Sequence, residues 1–310
     1  MTDPAAPVER FGKYLLHRKI GQGGMAEVFL ATADDQPAGA PPLVIKRLHR
    51  ELEKDRDAVD LFLTEADVTV MLTHPNIIRV FDSGEASGRY YIAMEYVQGR
   101  DLERIMERLA DLHAVLDPTA AVHIAMEVLK GLDYVHGAKT PTGRLLGIVH
   151  RDCTPSNIFV SSAGEVKLGD FGVAKLVAVE GWTIPGSIKG KLGYLSPEQV
   201  AGEQPSTSID LWSAAVILFE LLTSERLFQG NTELDVMLRI RDAKVPPLRK
   251  INKLAPKQLE NILERALHKK EKKRFPDAKS FYDELAAYQA KYGRSYAPAD
   301  LVGYLSKVLS

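Results

Sequence analysis

Apolar and β-branched residues alternate with polar ones over residues 14–33 and 43–48, which predicts strands, and the DDQPAGAPP stretch between them has turn chemistry. Over residues 57–72 the period changes. Val59, Phe62, Leu63, Ala66 and Val70 recur at spacings of three and four, one face of a helix, and His74 with Pro75 stops it. Two further strands are predicted over 77–83 and 90–97. Beyond Gly99 helical periodicity takes over, in 118–136, 206–223, 233–242, 256–267 and 277–289. The segment 206–223 is apolar on nearly every side, the pattern of a helix buried all round. These elements give an α+β fold in which a small strand-rich lobe, about 11–95, precedes a larger helical one, about 96–289. Residues 1–10 read as a polar, proline-containing tail. In the extension 290–310, Ala299, Leu301, Val302, Leu305, Val308 and Leu309 predict one more amphipathic helix.

A chain of 310 residues sits near the upper limit for one hydrophobic core. Its 45% hydrophobic and 26% charged residues are the balance of an ordinary soluble globular protein, not of a disordered or membrane chain. The formal net charge of -1 gives no long-range pull toward nucleic acid or an anionic membrane, so phosphate binding has to be local. The basic run Lys269 to Arg274 lies between two predicted helices and reads as a solvated loop. The single cysteine, Cys153, cannot form an internal disulfide, and MTDPAAPVER has no apolar signal core, so the expected compartment is the cytoplasm. The longest apolar run, near 214–222, falls short of the roughly 20 residues that span a bilayer.

Three motifs carry chemistry. Gly21-Gln-Gly23-Gly24-Met-Ala26-Glu-Val28 lies between two strands, where glycines let backbone N–H groups come close to phosphates; a strand-loop-strand setting suits a flap over a nucleotide, whereas a dinucleotide site needs strand leading to helix. Lys46, flanked by Val44, Ile45 and Leu48, is followed 19 positions on by Glu65 of the amphipathic helix, and the two can be held as an ion pair facing phosphates. His150-Arg151-Asp152-Cys-Thr-Pro-Ser-Asn157 is followed by Asp170-Phe171-Gly172. Phosphoryl transfer needs an acceptor for a hydroxyl proton and oxygen ligands for a metal, and Asp152, Asn157 and Asp170 are residues of those types.

With these motifs the chain resembles the eukaryotic-like protein kinases, from about Phe11 to Tyr288, and GQGGMAEVFLA is most similar to their bacterial serine/threonine branch. The resemblance implies the bilobal kinase fold over 11–289, ATP with Mg2+ (Mn2+ as an alternative), protein substrates bearing Ser or Thr, and no nucleic-acid partner. It also implies roles. Lys46 would bind the α- and β-phosphates and pair with Glu65. Asp152 would accept the substrate proton, and Asn157 and Asp170 would hold the metal. The hairpin Ile20, Gly21, Gln22, Gly23, Gly24, Met25, Ala26, Glu27 and Val28 would cover the nucleotide, with Val28, Val44 and Phe159 against the base. Met94 would guard the back of the adenine pocket, the backbones of Glu95 and Val97 would pair with the adenine edge, and Asp101 would contact the ribose. Ser196-Pro197-Glu198 matches Ala-Pro-Glu, with Glu198 paired to Arg274, and Asp210 and Trp212 match the start of the buried central helix.

Several departures from the family pattern bear on function. Ala26 replaces the third glycine and Val44 an alanine, both small apolar changes. The family's serine/threonine members carry a lysine two residues after the catalytic aspartate, where this chain has Thr154, and a threonine where this chain has Lys191. The pair looks exchanged, so Lys191 is expected to supply the missing cation. Arg151 and Lys175 could form a basic pocket for a phosphate on Ser187 or Thr183, added by autophosphorylation in a homodimer. Cys153, His74 and His136 read as structural residues. A pseudokinase that binds nucleotide as a signalling scaffold is the alternative; a tyrosine kinase is disfavoured by the catalytic loop, and a small-molecule kinase by Glu198, Asp210 and Arg274. The chain could also be the cytoplasmic domain of a longer membrane-anchored protein.

Overall fold

The computed structural model describes residues 9–37, 39–140, 142–171, 191–292 and 296–309, arranged in two compact units: the first holds the described residues up to Val97 with Phe171, and the second Gln98–Asp170 with the described residues from Lys191 on. The first unit is a six-stranded antiparallel sheet, in spatial order β1-β2-β3-β4-β6-β5, carrying one long helix. Its strands are β1 (Glu9–Phe11), β2 (Tyr14–Gln22), β3 (Ala26–Ala33), β4 (Leu43–Leu48), β5 (Val80–Ala86) and β6 (Arg89–Glu95). Alternating side chains serve the two faces of the sheet. Ile45 joins Phe11, Leu16 and Tyr91 in one cluster, while Leu48 joins Ala26, Phe62 and Ile92 in the cluster that seats helix α1 (Arg56–Val70). Asp55 caps that helix, accepting from the N–H groups of Asp57 and Ala58.

The strand boundaries differ from the sequence expectation at two places. β1 takes in Glu9 and Arg10, inside the segment read as a tail, where they pair with Leu16 and Leu15 of β2 and Arg47 meets Glu9 in an ion pair of 2.7 Å. The strand expected over 77–83 starts only at Val80, since the N–H of Ile77 closes a turn on the carbonyl of His74.

The second unit is helical around a three-stranded sheet, β7 (Gly99–Asp101), β8 (Ile158–Ser161) and β9 (Val166–Leu168). Its helices run α2 (Leu102–Asp111), α3 (Pro118–His136), α4 (Pro197–Val200), α5 (Ser208–Thr223), α6 (Glu233–Arg241), α7 (Leu248–Ile251), α8 (Lys257–Ala266), α9 (Ala278–Tyr292) and α10 (Pro298–Leu309). The sequence reading passed over α2, although Leu102, Ile105 and Leu109 are its buried face at helical spacing. Every residue of α5 is buried, as its unbroken apolar run predicts. Trp212 in its first turn stacks on Phe228 and receives the guanidinium of Arg274, whose Cζ lies 4.7 Å from the ring. Helix α10 packs on α2 and buries Leu301 and Leu305, while the hydroxyl of Tyr304 accepts from the Asp117 N–H at 2.6 Å. No helix among the described residues is long and apolar enough to cross a membrane.

Candidate active site

The loop from His150 to Asn157 is held from beneath by Asp210, in the first turn of α5. Its carboxylate accepts the backbone N–H groups of His150 and Arg151, both at 2.8 Å, and lies 2.8 Å from Nε2 of His136. An acid at a helix start suits the positive end of the helix dipole, and this one, almost fully buried, is repaid by two backbone donors. His150 is also buried. Burial pushes its pKa down against the pull of Asp210 and Asp152, so the ring stays neutral. Its Nδ1 accepts from the Asp152 N–H at 3.3 Å, which leaves Nε2 to donate to the Gly169 carbonyl at 3.2 Å. The ring thereby ties the loop to the residue before Asp170. Arg151 and Asp170 both adopt the left-handed region, with φ of 65° and 48°, a conformation that side chains favour little and that clusters at functional sites.

Asn157 joins the acidic residues. Its Nδ2 donates to the carbonyl oxygen and to Oδ2 of Asp152, each at 2.9 Å, and approaches the Asp170 carbonyl at 3.5 Å. With the amide nitrogen so committed, the amide oxygen takes no donor among the described residues and is the atom left for a cation. Asp152 is buried and Asp170 exposed. Oδ2 of Asp152 also receives Nζ of Lys191 at 2.7 Å, whereas Thr154 is buried with its hydroxyl 3.1 Å from that of Ser156. Cys153 is buried, which pushes its thiol well above the ordinary range and leaves it a packing residue.

In the strand unit, Lys46 and Glu65 meet at 2.7 Å with their side chains 15% and 13% exposed. Lys46 lies opposite Val28 and Ile92 in the sheet register. The glycine hairpin is closed by the Gly23 N–H on the Ala26 carbonyl at 2.8 Å, and a Cβ at Gly23 would have only that oxygen near it, at 3.9 Å, so the backbone there is open to approach. Other side chains of the hairpin serve the unit itself: Met25 and Ala26 pack in the cluster under α1, and Lys19 takes both Gln22, at 2.7 Å, and Glu27, at 2.8 Å. Ile20 and Val28 are half-buried, as is Val97. Val44 is buried opposite Met94, and the N–H of Glu95 is used by the Arg79 carbonyl at 2.8 Å. In the helical unit Asp101 caps α2 through the Arg104 N–H at 2.8 Å and stands opposite Phe159 in register.

Thus Asp152, Asn157, Asp170 and Lys191 are brought together within one unit, and Lys46 with Glu65 within the other. Lys175, Thr183 and Ser187 lie outside the described residues. Sequence reasoning matched Asp210 to the start of a buried helix but missed its grip on the loop at 150–151; an acid opening an otherwise apolar helix was the available signal.

The description "Protein kinase domain" fits residues 14–284 of the chain. The chain is 33% identical over 285 residues to the tyrosine-protein kinase MasK of Myxococcus xanthus, covering 92% of this chain and 44% of that one. It is 34% identical to the probable serine/threonine-protein kinase PknB of Lactococcus lactis, covering 88% and 42%, and 33% identical to the serine/threonine-protein kinase PrkC of Bacillus subtilis, covering 83% and 38%. The chain therefore spans less than half the length of these relatives. Among solved structures it is similar to the kinase domain of Mycobacterium tuberculosis PknI, with a TM-score of 0.68, 26% identity and coverage of 91% of this chain and 98% of that one. With the two-unit fold, the loop 150–157 and this match over most of its length, the chain belongs to the protein kinase domain family.

Proposed function

We propose that this chain is an ATP-dependent serine/threonine protein kinase of bacterial signalling. The observation that carries the reading is Asn157, which bonds the Asp152 carboxylate at 2.9 Å and reaches the backbone of Asp170 at 3.5 Å, so a proton acceptor and two oxygen donors for a metal share one small site. The donor set fits magnesium, which is commonly held by one or two protein groups together with phosphate oxygens; the amide oxygen of Asn157 and the carboxylate of Asp170 would hold it. When bound, the ion neutralises charge on the phosphates. Asp152 accepts the acceptor hydroxyl's proton as that oxygen bonds to the γ-phosphorus and the bond to ADP breaks. Lys46, held by Glu65, binds the α- and β-phosphates. The backbone of the hairpin from Ile20 to Val28 would cover them. In the strand unit Val28 and Val44 would serve the base and Met94, Glu95 and Val97 its edge, and in the helical unit Phe159 would serve the base and Asp101 the ribose.

Serine and threonine are the acceptors we favour, in line with the names of the Lactococcus and Bacillus relatives; the name of the Myxococcus relative makes tyrosine the second reading. Incubation with MgATP and peptide mixtures whose acceptor is serine, threonine or tyrosine separates the two. Transfer to serine or threonine peptides is expected, and transfer to tyrosine peptides alone would overturn the assignment.

A further inference from the structure

We propose that Lys191 is a catalytic cation of the transfer step, delivered by the segment that leads into α4 and not by the loop that carries Asp152; the inference rests on the kinase reading above. Asp152 is only 8% exposed, and a carboxylate withdrawn that far from water is costly unless a cation or strong donors meet it. After Asp152 its own loop continues Cys153, Thr154, Pro155, Ser156 and Asn157, none of them a cation. Thr154 cannot serve: it is uncharged and its hydroxyl is engaged with Ser156. Lys191 reaches in from 39 residues away and puts Nζ 2.7 Å from Oδ2, the same oxygen that Asn157 contacts.

The segment bearing Lys191 is fixed from behind by α5 and the chain after it. Ser213 donates to the Tyr194 carbonyl at 2.8 Å, and the Tyr194 hydroxyl donates to the buried Glu220 at 2.7 Å. Leu192 is buried, and a Cβ on Gly193 would stand 3.1 Å from the Phe228 carbonyl, so a side chain there would crowd the backbone. The ammonium is therefore preorganised at the proton acceptor, which is what electrostatic stabilisation of a transition state requires. Its side chain keeps 33% exposure, and an ammonium has donors to spare beyond the one given to Asp152, so it can face a second anion. During transfer that anion is the γ-phosphoryl group: the acceptor oxygen bonds to phosphorus, its proton goes to Asp152, and ADP leaves with the electrons of the broken P–O bond. Lys191 sits where the charge gathers. One consequence is that placement of the segment at 191–195 and assembly of the catalytic charge set become a single event.

The test compares wild type, Lys191→Met and Lys191→Arg for kcat and for KM of ATP and peptide, with thermal unfolding as the check on folding. The methionine variant should lose about 10²- to 10³-fold in kcat with KM little changed. Arginine should recover most of the loss. A methionine variant that turns over at the wild-type rate, or methionine and arginine variants that fall alike, overturns the inference while leaving the kinase reading intact. No transfer by wild type overturns the kinase reading and the inference with it.

Discussion

Arg274 grips Glu198 with both arms of its guanidinium, Nη1 to Oε1 at 2.6 Å and Nη2 to Oε2 at 2.8 Å, with side chains only 1% and 7% exposed. The same guanidinium donates to the carbonyl of His268 at 2.9 Å and lies over Trp212, so one side chain ties α4, the turn before α9 and the start of α5. Bidentate geometry and full use of the donors are what make a buried pair tolerable. Removing one partner leaves the other charged and buried. Arg274→Ala should cost about 3–5 kcal/mol, measured by urea unfolding; a loss below about 1 kcal/mol, the range of exposed pairs, would contradict this role.

Acid should loosen the protein in two steps. The folded pKa of His150 is lowered from 6.5, chiefly by burial, so the unfolded chain takes up a proton there that the folded chain refuses. Stability from this source is present above the unfolded value and is lost as pH falls below about 6.5. Glu198 is lowered from 4.5: burial pushes it up, and the Arg274 hydrogen bonds and charge outweigh burial. Its contribution is present above that value and is lost as pH falls below it toward the folded pKa. Urea midpoints of wild type and His150→Gln, compared between about pH 7.5 and about pH 5, should converge toward the acid end. A constant difference would mean that His150 does not carry the upper step.

Gly164, in the turn between β8 and β9, holds the C-terminal segment close. Its φ is +85°, and a Cβ there would fall 1.8 Å from the carbonyl oxygen of Pro298. Tyr296 meanwhile packs on His123 of α3, with ring centroids 5.9 Å apart. Gly164→Ala should displace the start of α10 and cost about 1–3 kcal/mol. Hydrogen exchange should quicken across 298–309 and in the facing part of α2, and unchanged protection there would show that α10 docks without this contact.

Much of this arrangement was legible in the chain because the informative residues are close in sequence or tied to one element. Lys46 and Glu65 could be paired on paper, since a strand residue and a helical acid 19 positions apart fall within one sheet-and-helix unit. Asp152, Asn157 and Asp170 follow one another along a loop and a short hairpin. The pairing of Glu198 with Arg274, which closes 76 positions, was readable only through the family pattern. What stayed hidden depends on packing between distant segments. Examples are the Tyr194 hydroxyl on Glu220, the reach of Asp210 to the loop at 150–151, and the docking of α10 on α2. No local periodicity signals which partner a buried acid will meet. Helix α2 is a different case. Its apolar spacing at Leu102, Ile105 and Leu109 was present in the chain and was passed over. The start of β5 was displaced because a turn at His74 and Ile77 outcompeted strand propensity.

The central claim is that this chain transfers phosphate and does not merely bind nucleotide. Intact and peptide mass spectrometry of wild type and Asp170→Asn after incubation with MgATP and a serine/threonine peptide tests it most directly. The claim predicts phosphoserine or phosphothreonine with wild type and none with Asp170→Asn, which also excludes a contaminating kinase. Nucleotide-dependent thermal stabilisation of wild type without any phosphate on protein or peptide would contradict it and make the chain a pseudokinase.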